Sequence, residues 1–354
     1  MEKSASFRPA GVSASPWIKS PGFDLGLLTL SAVLVFFPYL SYGLLQKLGA
    51  SVATASLAVG LSVTVLVGGP HMYSTYLRTA LEPRFRSRHG WLAYLPLVVI
   101  PSAVVFGTLF AFPVLLTAFF FWASIHITHQ AQYISEVYRR KTQEVSRWDR
   151  WLDAAVILGS LYTIAMFKFV DGRFSIGEHP LLFPSLLKRP FLPYLFAAGF
   201  AALLTFYIAR TVGEIRRGIT TLPRLLFMGL TISMAFIVPM FDNLDVSFQG
   251  FNTWHSLQYL ALTWFILDQQ VSRRQIGSPL VERISGREHT GRYYGAMVGC
   301  TFAAGAIYVL LWKGLGLAQD QCYYVVVLSF LLTHYFYDHI LFGEFDALAP
   351  APAR

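Results

Sequence analysis

The feature that most restricts the fold is a series of apolar runs, each long enough to cross a bilayer. Three of them are "LGLLTLSAVLVFFPYLSYGLL", "WLAYLPLVVIPSAVVFGTLFAF" and "PFLPYLFAAGFAALLTFYIA". At a helical rise of about 1.5 Å per residue, runs of this length match a hydrocarbon core about 30 Å thick. Backbone polar groups in lipid must be bonded within their own segment, so such runs fold as helices. Only 13% of the 354 residues are charged, against roughly a quarter in a soluble domain.

The expected fold is therefore all-α, a polytopic integral membrane helical bundle. About ten transmembrane helices are read near residues 23–45, 52–77, 91–111, 114–138, 151–170, 190–210, 222–240, 250–268, 292–315 and 323–342. They form one transmembrane domain, 23–343, between a polar N-terminal tail, 1–22, and a C-terminal tail, 344–354. The N-terminal tail is broken by Pro and Gly and lacks the apolar core of a cleavable signal, so the first span is expected to be an uncleaved anchor.

The net charge of +9 suggests nucleic acid only until its distribution is read. With the N-terminus inside, most of the 28 Lys and Arg residues fall in the tails and in the connections that follow the even-numbered spans. That bias places both the N-terminus and the C-terminus in the cytoplasm. The basic character then reports topology, with contact to anionic membrane lipid as a secondary use and no nucleic acid partner. The two cysteines supply neither a disulfide framework nor a CxxC pair. No Walker or dinucleotide-type Gly-rich fingerprint is present, and the longer connections are too short for catalytic domains. Any chemistry is expected inside the helices.

Polar letters interrupt the apolar runs at particular places. Of nine histidines, His89, His179 and His289 fall in loops. His71, His126, His129, His255, His334 and His339 fall within spans, on the second, fourth, eighth and tenth helices. A polar group in the bilayer costs a few kcal/mol unless it faces protein and finds a partner. One such histidine is accounted for by an interhelical hydrogen bond; six on four helices, all running in the same direction, point to a shared site.

On the fourth helix, "WASIHITHQAQYIS" places His126, His129, Tyr133 and Glu136 within roughly an 80° arc at 100° per residue, an inward-facing stripe. Glu136 is expected to pair with Arg139 or Arg140, and Gln130 and Gln132 to satisfy neighbours. On the tenth helix, "LTHYFYDHILF" stacks His334 and Asp338 four residues apart, while His339 points away. A carboxylate at that depth requires a cation, or the imidazole N–H of a liganding histidine. The eighth helix carries "NTWHSLQYL", whose H-x-x-Q-Y echoes "HQAQY" at 129–133, although His255 lies close to the outer end of the span as drawn. On the second helix, "VGGPHMYSTYLR" sets His71 just after Pro70, which removes a backbone donor, and two glycines that permit close packing.

Several neutral imidazoles plus a carboxylate, without thiolate, suit iron, zinc, copper or manganese, and the mixture matches non-haem iron sites. The Phe-, Tyr-, Trp- and Leu-rich surroundings suit a lipid-soluble substrate better than the polar one a zinc hydrolase would require. A proton-coupled transporter with a His/Asp relay and a bis-histidine haem protein are the competing readings.

The ordered segments "GGPHMYSTY", "SIHITHQAQYI", "TWHSLQYL" and "LTHYFYDHIL" resemble those of the Brp/Blh family of bacterial membrane carotenoid dioxygenases, which cleave β-carotene to retinal. The resemblance covers about a tenth of the chain. By position His71, His126, His255 and His334 match the family's histidines and Asp338 its late carboxylate. Where the family's first element continues to Asp this chain reads Ser74 and Thr75, a second histidine in the third element is replaced by Tyr259, and Pro before the last histidine by Thr333. His129 and His339 are additional. With the polar stripe on the fourth helix, this leads to the expectation that Fe(II), or another divalent metal, is held by His71, His126, His255 and His334, with His129 as a further ligand or base and Asp338 as a ligand or its anchor, these last two in catalytic roles. The resemblance implies O2 as co-substrate, a carotenoid as substrate and the bacterial inner (cytoplasmic) membrane as location; the apolar surroundings of the histidines extend the expected substrates to another isoprenoid or an acyl lipid.

Overall fold

The computed structural model describes residues 15–172, 174–176, 179–241, 243–345 and 348. Most of the N-terminal tail and the last part of the C-terminal tail lie outside the described residues. The described residues are predominantly helical, with a two-stranded hairpin pairing Ser175–Ile176 with His179–Pro180.

In chain order the long helices are α1 (Pro21–Lys47), α2 (Val52–Leu77), α3 (Pro96–Phe110), α4 (Phe112–Arg139), α5 (Arg147–Val170), α6 (Leu192–Arg216), α7 (Leu222–Met240), α8 (Leu244–Ser272), α9 (Arg287–Gly314) and α10 (Gln319–Leu341). Eight of these are long and apolar enough to cross a membrane; α3 joins Pro83–Ala93 through a 47° bend and makes a ninth if the pair counts as one span. At 29 residues α8 is the longest, yet it falls outside that apolar set.

The polarity of α8 follows from its position. It packs against α1, α2 and α7, and Trp254, His255, Ser256, Gln258, Tyr259 and Thr263 are all buried. A helix surrounded by protein carries polar side chains that meet partners, whereas the outer helices α6 and α9 expose Leu195, Phe206, Phe302 and Leu310. Gly250 allows the closest approach: a Cβ there would collide with the Val35 carbonyl of α1. Because α8 begins at Leu244, His255 lies about 16 Å into the helix, which corrects the shorter span drawn from hydropathy and removes the apparent mismatch in depth.

Two helices are irregular where they serve the interior. In α1 a π-helical stretch, Asp24–Thr29, precedes a 3-10 stretch, Leu30–Phe36. The Leu28 carbonyl is taken by Gln258 Nε2 at 2.6 Å and Trp254 Nε1 at 3.4 Å. In α2 a π-helical turn, Thr64–Gly68, leads into Pro70. Proline cannot donate to the carbonyl four residues earlier, and the Tyr294 hydroxyl of α9 donates to that atom, Leu66 O, at 2.5 Å. A Cβ at Gly69 would collide with Thr301, so this segment serves close packing and the presentation of His71 together.

The starts of α2, α4, α8 and α10 meet at one end of the bundle. Asn243 reaches Ser56 at 3.4 Å, Leu182 N donates to Thr117 Oγ1 at 2.9 Å, and His179 Nε2 lies 2.9 Å from Asp320 Oδ2. The four histidine-bearing helices therefore run in the same direction, as their even numbering requires. At the opposite, basic end a closed ion network ties α4 to α7 together. Arg139 meets Glu214 at 2.8 Å, and Arg224 meets Asp153 at 2.9 Å and Glu214 at 3.3 Å. Arg210 also joins, bonding Asp149.

Candidate metal centre

His71, His126, His255 and His334 converge so that one ring nitrogen from each lies within 4.8 Å of every other; all four residues are buried. Among the described residues this is the one such group of possible ligands. His126 Nε2 and His255 Nε2 are 3.2 Å apart. Nitrogens held about 2.0–2.1 Å from a common ion stand roughly 3–4 Å from one another. Small side-chain shifts would close the remainder of the set on such an ion.

Each imidazole is fixed by its helix. The His71 Nδ1 atom lies 2.9 Å from the Gly68 carbonyl and 3.0 Å from Ser256 Oγ. With Nδ1–H donating to that carbonyl, Nε2 carries a bare lone pair toward the group. The His126 ring stacks on Tyr335 with centroids 4.0 Å apart. His255 is held through its backbone, whose carbonyl accepts from Gln130 Nε2 at 3.0 Å; the same amide reaches Gln258 Oε1 at 3.2 Å.

Asp338 completes the group asymmetrically. Its Oδ1 accepts from Thr75 Oγ1 at 2.8 Å and from the Tyr259 hydroxyl at 2.5 Å. Oδ2 faces the imidazoles, 3.5 Å from His334 Nε2 and 3.9 Å from His126 Nε2. The buried atoms His71 Nε2, His334 Nδ1, His334 Nε2 and Asp338 Oδ2 have no hydrogen-bond partner. Buried polar atoms are normally satisfied; unpartnered atoms on three neighbouring side chains, the His71 and His334 imidazoles and the Asp338 carboxylate, fit a divalent cation that takes one atom from each. Removing both donors to Oδ1, as Tyr259→Phe with Thr75→Val, is expected to weaken metal binding about 10–100-fold, to be read by titration of the purified protein with Co(II).

The structure does not bring His129 to this group. His129 is one helical turn further along α4, its ring 5.2 Å from that of His339 and 5.1 Å from Phe342. Both histidines line a small polar pocket at the basic end with Gln132, Glu136, Arg140 and Arg150. Glu136 pairs with Arg140 at 2.6 Å and Arg150 at 2.9 Å, whereas Arg139 turns inward to the ion network. The H-x-x-Q-Y echo does not mark equivalent positions: Tyr133 donates to Glu344 O at 3.1 Å, while Tyr259 serves Asp338.

Ser256 had no part in the sequence reading, and Thr75 entered it only where the family's pattern has Asp; Thr75 lies four residues, about one turn, after His71, whereas Ser256 is merely adjacent to His255 and carried no signal of its own. A chamber of about 470 Å³ adjoins the group, with His71 and His255 in its wall. Phe119, Phe120, Leu161, Phe248 and Leu328 make the rest of that wall mainly apolar. No family model, curated protein or solved structure matches the chain.

Proposed function

We propose that the protein is an integral-membrane non-haem iron enzyme that uses O2 on a lipid-soluble substrate, a carotenoid, another isoprenoid or an acyl lipid. The observation that carries this reading is the convergence of four buried imidazoles and one bare carboxylate oxygen at the wall of an apolar chamber. Fe(II) suits an all-nitrogen and carboxylate donor set, with another divalent metal as the alternative. When bound, the ion would supply binding and activation of O2. His71, His126, His255 and His334 would hold it, and Asp338 would offset its charge through Oδ2, with Thr75 and Tyr259 fixing the carboxylate. The apolar wall excludes bulk water and orients the substrate.

The reading includes membership of the Brp/Blh family and a place in the bacterial inner membrane with both termini cytoplasmic. Thr75 and Tyr259, two positions that depart from the family's pattern, are the donors to Asp338, so the departures retain polar contacts at the site. A proton relay is supported less: the ring against both His126 and His129 is that of Phe342, at 6.0 and 5.1 Å, and it carries no exchangeable proton.

The test is O2 consumption by the Fe(II)-loaded protein in lipid nanodiscs offered β-carotene, a shorter isoprenoid or a fatty acid. Uptake that depends on one of these and disappears in His334→Ala is the expected result. Absence of uptake with all three, together with pH-driven flux in proteoliposomes, would transfer the assignment to a transporter.

A further inference from the structure

The chamber has a direction. Its wall runs from Asp245 to Gln258 on α8, from Tyr323 to Tyr335 on α10 and from Phe119 to Ala131 on α4, which gives a depth of about 18–20 Å on each helix. At the inner end Gln258, Ala131, Ile157 and Thr231 are all buried, and the Gln258 and Gln130 amides close the gap between helices. At the other end, away from the basic face, Ser175 is exposed, and along the α2 flank Leu57 and Leu61 are 63% and 51% exposed. The chamber is blind inside and open at its outer end and flank.

Its chemistry is graded along the same axis. Ser56, Ser175, Asp245, Gln249 and Tyr324 stand around the outer end; further in, Phe, Leu and Ile dominate, the hydroxyls of Ser124, Thr128 and Thr231 are bonded to carbonyls of their own helices, and Asn252 and Gln258 are the amides that remain. His71 and His255 come only near the floor. From Asp245 to His255, and from Tyr324 to His334, is ten residues, about 15 Å. That distance is half of a hydrocarbon core about 30 Å thick, the depth of one leaflet. A molecule spanning the whole core would leave about half its length outside.

We propose that the chamber takes a single-chain amphiphile of one leaflet's length, tail first, with its polar end among the mouth residues and its far end beside His71 and His255. The open α2 flank admits the chain sideways from the bilayer. Reaction near the far end of the chain then follows if the four-histidine group is the reactive centre, and that clause alone rests on the proposed function.

The experiment uses the full chain in phosphatidylcholine nanodiscs and two palmitic acid analogues, one with a diazirine at the terminal carbon and one with it beside the carboxylate. After photolysis, peptide mapping is expected to place the terminal label on Ile127, Ala131, Trp254 or Gln258, and the carboxyl-proximal label on Ser56, Ser175, Gln249 or Tyr324. Ala131→Phe, which fills the wall at the floor, should lower the inner labelling at least tenfold and leave the outer labelling in place. The same sites for both probes, a reversed pattern, or labels confined to lipid-facing residues such as Phe106 and Leu310 would overturn the proposal. If Ala131→Phe does not fold, the two-probe map of the unaltered protein decides alone. The map is read with and without added metal, so a protein that binds no metal yet labels as expected would sink the metalloenzyme reading and keep the chamber's occupant.

Discussion

Replacing His126 and His334 together by alanine is expected to abolish metal binding while leaving the helical bundle assembled. Each imidazole supplies one of four converging nitrogens, and a pair of histidines left on α2 and α8 cannot enclose an ion. The loss should exceed the effect of altering Asp338's donors, because it removes ligands and not their supports. Folding should survive, since the substitution deletes two rings whose polar atoms include unpartnered nitrogens; the cost is a cavity, about 3–5 kcal/mol for a large ring at worst. Metal content by mass spectrometry after Fe(II) loading, beside a thermal unfolding curve in the same detergent, checks both halves. Unchanged metal content in the variant would place the ion elsewhere.

The second large effect is on stability, at the opposite end of α4. Arg224 is 2% exposed and its guanidinium bonds Asp153 and Glu214, with Ser135 Oγ accepting from Nε at 3.2 Å. Arg224→Met keeps much of the volume but leaves two buried carboxylates with Arg139 as their remaining shared cation. Removing one partner from a buried ion pair costs about 3–5 kcal/mol, because the other charge remains desolvated. Arg88→Met makes the control: Arg88 pairs with Glu344 at 2.9 Å but its side chain is 68% exposed, so its loss should cost about 0–1 kcal/mol. Thermal unfolding of the two variants in one detergent should separate them clearly, and equal midpoints would mean that the network contributes no more than a surface pair.

The grouping of His71, His126, His255 and His334 was legible because polar letters inside apolar runs are conspicuous, and a stack such as His334 and Asp338 follows from helical spacing alone. What spacing cannot fix is reach. His126 and His129 share an arc of α4, yet one turn of rise carries His129 past the group to His339. The extent of α8 was hidden for a related reason: buried His255, Ser256, Gln258 and Thr263 make its centre polar, so hydropathy undercounts a helix packed among others. The π-helical stretches of α1 and α2 have no letter signature beyond Pro70, and the Leu28 carbonyl that Gln258 and Trp254 share is a consequence of the first of them. Arg224, Asp153 and Glu214 each lie within a few residues of a helix end and read singly as surface charges. Only the packing of α5, α6 and α7 joins them.

The most direct test of the central claim is X-ray absorption at the metal edge of the Fe(II)- or Co(II)-loaded protein, which counts the ligands and reports their type. The account predicts four imidazole nitrogens, with Asp338 as the one protein carboxylate able to add an oxygen, and loss of the imidazole signature in the His126→Ala/His334→Ala variant. A spectrum dominated by oxygen ligands without imidazole scattering, or one unchanged in the variant, would contradict it.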